Sequence, residues 1–200
     1  MAAFSRVAMT GSRWVGWALA ATIVLPIAAR ADDVVWTDGG GTGTWESEVN
    51  WSPIVLPNAT DEVGLDGATN VIAISVNSGK DVAVSLDIGS KPYTINIFSG
   101  GTLSIFGAGI IGTSSNLTID TNPDSNDAGT IDFHNSPTAG SATINNGGIF
   151  FSGAINGTAN FFDTTTAGSA TITNNNLGLT NFHDNSTAGN ATIFNNNGGT

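Results

Sequence analysis

The sequence predicts an all-β solenoid, on three observations. Apolar residues recur at every second position through most of the chain, clusters of Gly, Asn, Asp and Ser interrupt these runs, and one unit occurs three times near the C-terminus. Alternation with period two places one face of a strand against a core, and the interrupting residues are turn formers.

The alternating runs come in order. Val82, Val84, Leu86 and Ile88 form the first, followed by Tyr93, Ile95 and Ile97, then Leu103 with Ile105, Leu117 with Ile119, and Ile131 with Phe133. Each is expected to be a strand with these residues on its buried face. Helical periodicity is not found beyond Ala31. Abundant Gly, Asn, Thr and Ser would suit a disordered chain, but such chains are poor in β-branched and aromatic residues, and here these recur throughout.

The repeats are Phe133 to Ile144, Phe161 to Ile172 and Phe182 to Ile193, with each Phe five positions before a Thr-Ala-Gly triplet. The first two copies start further apart than the last two, and a seven-residue insertion near Phe150 to Ala159 accounts for the longer interval. A period of about 20 residues made of short strands and Gly/Asn turns marks a solenoid in which each repeat is one coil. Stacked coils place like residues about 4.8 Å apart. Phe133, Phe161 and Phe182 are therefore expected to form an inner aromatic column, and Ile144, Ile172 and Ile193 an aliphatic one. Ala170 points inward with Ile172, while Thr143, Thr171 and Thr192 point outward. The Asn-rich turns at Asn145–Asn146, 174–176 and 195–197 suit side-chain amide ladders and left-handed backbone.

A single coil buries too little to order itself, so the ends need caps. Three of the five tryptophans fall between Trp36 and Trp51, around the glycines 39–41 and Gly43. This segment reads as a cap, with large rings covering the open end of the first coil. A carbohydrate-stacking platform is the rival reading of the same rings. The chain stops at Asn197-Gly198-Gly199-Thr200, inside a repeat, and is expected to be a fragment or truncated gene product with further coils beyond.

Residues 1–31 read as a cleaved signal peptide. Arg6 and Arg13 precede an apolar stretch from Trp14 to Ala28, and Ala29-Arg30-Ala31 supplies the small residues of a cleavage site. The stretch is shorter than a membrane span and contains Pro26. Cleavage removes three of the five basic residues, so Lys80 and Lys91 stand against 16 acidic residues and the mature net charge is −14. Such a chain is repelled by phosphate backbones and anionic lipid, which argues against nucleic acid as a partner. There is no Cys, so stability rests on ladders and packing. The divisions are a signal peptide (1–31), a Trp/Gly-rich cap segment (32–70), first coils (71–128) and repeat coils (129–200), with no transmembrane segment in the mature chain.

Catalytic patterns find little support in these residues. A lyase needs a basic residue, and the repeats contain neither Lys nor Arg. A glycosidase needs two carboxylates at a set separation; Asp163 and Asp184 occupy one repeat position, with Asn135 in the first copy, and read as turn residues. His134 and His183 share another position with Phe162 between them, a poor basis for a metal site. Catalytic, cofactor-binding and metal-binding residues are accordingly expected to be none.

The segment from Trp36-Thr37-Asp38-Gly39-Gly40-Gly41-Thr42-Gly43-Thr44-Trp45 through Asn50-Trp51, Pro57 and Asp61-Glu62-Val63 resembles the start of autotransporter passenger domains. The likeness covers roughly Val35 to Ile119, and the Thr/Gly/Asn-rich repeats are similar to the coils that follow in such passengers. The resemblance implies a right-handed parallel β-helix, displayed at the bacterial cell surface or outer membrane or secreted, with an adhesive or structural role. It implies a host or cell-surface ligand and an outer-membrane translocator barrel that is not in this chain. Two alternatives are a β-helical scaffold of a polysaccharide-acting enzyme whose active site lies elsewhere, and an ice- or mineral-templating solenoid. The latter calls for two outward Thr per coil in a flat array, and the Ala-Thr-Ile triplets supply one.

Overall fold

A computed structural model describes residues 34–66, 73–77, 79–98, 100–121, 128–147 and 156–200. The expected signal peptide and the 70/71 boundary lie outside these residues. The described chain is all-β, with fourteen strands: β1 Val34–Trp36, β2 Trp51–Ser52, β3 Glu62–Leu65, β4 Ala73–Val76, β5 Gly79–Ile88, β6 Tyr93–Ile97 and β7 Gly101–Gly112. They continue as β8 Leu117–Asp120, β9 Thr130–Phe133, β10 Thr143–Asn146, β11 Thr158–Phe161, β12 Thr171–Asn175, β13 Leu179–Phe182 and β14 Thr192–Asn196. No helix among the described residues is long and apolar enough to cross a membrane.

The strands form a parallel β-solenoid. One sheet of six follows the order β14-β12-β10-β8-β6-β4, and one of eight the order β13-β11-β9-β7-β5-β3-β1-β2. Because β5 and β7 are long, the second sheet carries two ladders. The first half of β7 passes its pairing on to β9, β11 and β13. The second half of β5 pairs with β3, and through it β1, while the second half of β7 continues as single bridges through Thr138, Thr166 and Thr187. Each repeat coil thus touches its neighbour along three lines.

Inward residues line up as identical columns. Ile74, Ile95, Ile119, Ile144, Ile172 and Ile193 are successive partners in one ladder, and the first five are fully buried. Phe133, Phe161 and Phe182 stack with ring centroids 4.8 and 5.0 Å apart and planes within 16°. Outward of the Ile column runs Thr94, Thr118, Thr143, Thr171 and Thr192. The inward Ala and Ile and outward Thr of the repeats are as the alternation predicts.

Beside the Ile column, an inner amide ladder closes the corner. Asn146 and Asn174 are fully buried; Asn146 Nδ2 donates to Asn174 Oδ1 (2.9 Å) and Asn174 Nδ2 to Asn195 Oδ1 (2.9 Å). Hydroxyls of Thr121 and Thr180 donate to Asn146 Oδ1 and Asn174 Oδ1, respectively. Burial of an amide is tolerated here because its donors and acceptor lone pairs find partners.

The strands depart from the period-two pattern at β5 and resume earlier than the spacing suggests after β10. The run Val82, Val84, Leu86, Ile88 does not continue in one frame: the register shifts between Ala83 and Ser85, and it is Ala83 that lies buried opposite buried Ile105, while Val82 pairs with Ser104. Leu86 and Ile88 are buried as expected. The extra seven residues are bounded by register to the segment between Asn146 and Thr158, since Thr143 pairs with Thr171 across the longer interval and Thr158 with Leu179 across the shorter one. Ala159 itself lies in β11, opposite Ile131 and Thr180, and residues 150–155 fall outside the described ones.

At the first coil, the tryptophans are buried. Trp51 meets Trp36 and Trp45 edge to face at 4.8 and 4.7 Å, and all three are at most 1% exposed. Trp51 Nε1 donates to Trp45 O, and β2 caps the sheet by pairing antiparallel with β1. Asn50 ties down the glycine loop: its Nδ2 donates to Thr42 Oγ1 and Thr44 O, and its Oδ1 accepts from Gly40 N. Gly41 and Gly43 take positive φ, which permits the tight turn. Rings with no exposed face cannot stack on a sugar, so the platform reading falls. Asn50→Ala is expected to lower stability by about 2–3 kcal/mol through orphaned buried groups. A urea titration followed by tryptophan emission reads the loss.

Candidate functional site

The first ladder has the most distinctive outer surface. Its strands carry the inward residues Ile105, Phe133, Phe161 and Phe182, and strand alternation turns the next side chain outward. Those next residues are Phe106, His134, Phe162 and His183, whose rings stack in one outer column. Centroids are 4.9, 4.7 and 4.7 Å apart, with planes 13°, 2° and 8° from parallel. The sequence placed His134 and His183 at one repeat position with Phe162 between them, and the structure agrees. It adds Phe106, which lacks the Thr-Ala-Gly signature downstream. The signal that locates it is its place just after Ile105, as His134 follows Phe133.

Polar columns flank the rings. On one side Asn181 Nδ2 donates to Asn160 Oδ1 (2.9 Å), and Asn160 Nδ2 to Asp132 Oδ1 (2.8 Å). Asp132 Oδ2 also lies 3.9 Å from His134 Nε2. On the other side stand Asn135, Asp163 and Asp184, all in the left-handed region with φ of 74°, 57° and 55°. Asp184 Oδ2 accepts from Asp163 N (3.1 Å), and Asp163 Oδ2 accepts from Asn135 N (2.7 Å).

This geometry explains the residue types. Asp and Asn tolerate positive φ better than other side chains, and each carboxylate spans to the preceding coil's backbone N–H. The two Asp side chains that offered a glycosidase-like pair therefore serve as turn and inter-coil acceptors. The exchange Asp163→Asn, matching Asn135, is expected to change stability by less than about 0.5 kcal/mol. Asp163→Ala keeps the left-handed backbone but loses the acceptor for Asn135 N that offsets its strain, with an expected loss of about 1–2 kcal/mol. Chemical denaturation of the two variants distinguishes the cases.

His134 and His183 do not converge, since the Phe162 ring lies between them. Among the described residues, no three His, Cys, Asp or Glu side chains gather where they could hold a metal ion. One buried carboxylate is visible in the sequence only as a motif position: Glu62, 7% exposed, whose Oε1 accepts from Ser85 Oγ at 3.4 Å. Its neighbour in the ladder is Ser85 by register, which only the β3–β5 pairing reveals.

No family model, curated protein or solved structure matches this chain.

Proposed function

We propose that this chain is an exported, non-catalytic passenger of an autotransporter-like bacterial surface protein, with a structural or adhesive role. The observation that carries the reading is the buried Trp36–Trp45–Trp51 cluster on the first coil. It gives a physical purpose to the segment that resembles a passenger start: closure of the leading end of a solenoid. The N-terminal leader pattern supports export, and the acidic mature chain suits an exposed, soluble surface.

The outer columns of Thr, Asn, Asp and stacked rings repeat every coil, which gives a ligand on a host or cell surface a periodic set of contacts. A non-catalytic role is supported by what the repeat carboxylates do, since Asp163 and Asp184 accept backbone hydrogen bonds from neighbouring coils. An outer-membrane translocator barrel outside these 200 residues completes the proposed route.

The test is fractionation of cells producing the native gene, with an antibody raised against the Thr-Ala-Gly-Ser-Ala-Thr-Ile repeat, before and after protease treatment of whole cells. Surface display predicts a repeat signal in the outer-membrane or medium fraction that external protease destroys. A protease-resistant signal confined to the cytoplasm overturns the proposal.

A further inference from the structure

We infer that the outer ring column of the first ladder is a binding site for a flat, elongated, cationic aromatic molecule laid along the coil axis. The site stands on the coil geometry alone and needs no part of the export reading.

The rings decide the shape of the ligand. Phe106, His134, Phe162 and His183 form a row of roughly 14 Å, one ring per coil. Both faces of His134 and of Phe162 are covered by their neighbours in the stack, which leaves only their edges to a visitor. The first three rings are half-buried and His183 is exposed, so the row reaches solvent along its length. An aromatic edge is the positive part of the ring's quadrupole and a face the negative part. A conjugated plane lying along the row therefore meets successive edges with one face, the T-shaped contact that aromatic pairs favour. The same geometry rejects other occupants. A sugar stacks its C–H groups on a ring face, and a small cation also seeks a face; neither finds one in the middle of the row.

The setting of His134 is a second observation. Its Nε2 is buried without a hydrogen-bond partner, 3.9 Å from Asp132 Oδ2, while the side chain as a whole is 24% exposed. The exposed part of this imidazole is therefore the part turned away from Asp132.

Charge decides the rest. Asp132 stands on one side of the row, and Asp163 and Asp184 on the other. The groups that donate to them are neutral: Asn160 Nδ2 to Asp132, Asn135 N to Asp163 and Asp163 N to Asp184. Neither Lys nor Arg follows Lys91 in the chain, so no fixed cation of these coils competes for the carboxylates. This field attracts a cationic ligand and repels an anionic one, a nucleobase carried on phosphate included.

The experiment titrates the purified full chain with thioflavin T, a cationic conjugated dye, and with Congo red, a conjugated dye carrying sulfonates. The expected result is saturable thioflavin T binding that weakens as salt is raised, with no comparable binding of Congo red. Phe162→Leu, which keeps bulk but removes the planar edge, is expected to weaken thioflavin T binding roughly tenfold. His183→Ala, at an exposed position where folding is not at stake, is expected to weaken it roughly threefold. Asp163→Asn combined with Asp184→Asn keeps the turn chemistry of Asn135 and is expected to weaken it by a similar factor. Thr143→Ser, on the outer face of the other sheet, is expected to change nothing. Undiminished binding in the His183→Ala and Asp variants, equal binding of Congo red, or equal weakening by Thr143→Ser would each overturn the proposal.

Discussion

Phe161→Ala is expected to cost about 3–5 kcal/mol, the largest loss of any single repeat substitution. The ring is fully buried and lies between Phe133 and Phe182 at 4.8 and 5.0 Å, so its removal opens a cavity with stacked faces on both sides. Neither neighbour can fill the void without leaving its own coil, because each is held in its strand by the ladder. The same change at Phe182 is expected to cost less than half as much, since that ring is already 37% exposed and contacts only Phe161 in the stack. Urea midpoints of the two variants provide the comparison. Equal losses would contradict the order of coils along the stack.

The second large effect is polar. Asn174→Ala removes a buried amide that bonds the Asn146 amide, the Thr180 hydroxyl, Asn195 Oδ1 and the Thr200 carbonyl at once, with an expected cost of about 2–3 kcal/mol. Asn196→Ala removes a single exposed contact to Asn175 and is expected to cost under about 0.5 kcal/mol. Asn174→Asp tests the amide's donor role by pH. A carboxylate there keeps the acceptor contacts but cannot donate, and burial raises its folded-state pKa above the unfolded value. Its stability deficit should therefore shrink in acid and grow as pH rises from the unfolded-state pKa through the folded-state one. An equal deficit at all pH values relative to the parent would show that donation from this position does not matter.

The inner columns of the repeats are legible in the sequence because identical residues recur in segments the eye can align: Phe133, Phe161 and Phe182, then Ile144, Ile172 and Ile193. The amide ladder is legible from the Asn residues after each Ile. The same Ile column extends back through Ile119, Ile95 and Ile74, and the Thr column through Thr118 and Thr94. These earlier members escape alignment because their coils lack the Thr-Ala-Gly triplet and follow each other at unequal intervals, as the ladder partners Lys80, Thr102 and Thr130 do.

The two misreadings share a cause. Period-two alternation assumes an unbroken strand, and β5 breaks its frame between Ala83 and Ser85, where one ladder gives way to the next. The insertion extends over Ala159 when read from sequence, because spacing alone cannot say which residue resumes the strand; pairing of Ala159 with Ile131 and Thr180 does. At the candidate site the ring column is half visible. Its alternation of Phe and His hides a steric rule, one planar side chain per coil, beneath two residue types. The roles of Asp163 and Asp184 as backbone acceptors require the left-handed φ that no spacing reveals.

Coils of unequal length stack in register, and the chain's lack of cysteine permits a direct test. Thr143→Cys combined with Thr171→Cys joins outward positions of adjacent β10 and β12 that are paired in register. Thr143→Cys combined with Thr164→Cys instead uses the shorter interval, the one from Phe161 to Phe182, which a uniform repeat would demand here. Neighbouring strands lie about 4.8 Å apart, within the range a disulfide bridges. Mild oxidation of the folded chain followed by mass analysis should show the disulfide in the first pair and free thiols in the second. A bridge in the second pair, or in neither, would contradict the solenoid described here.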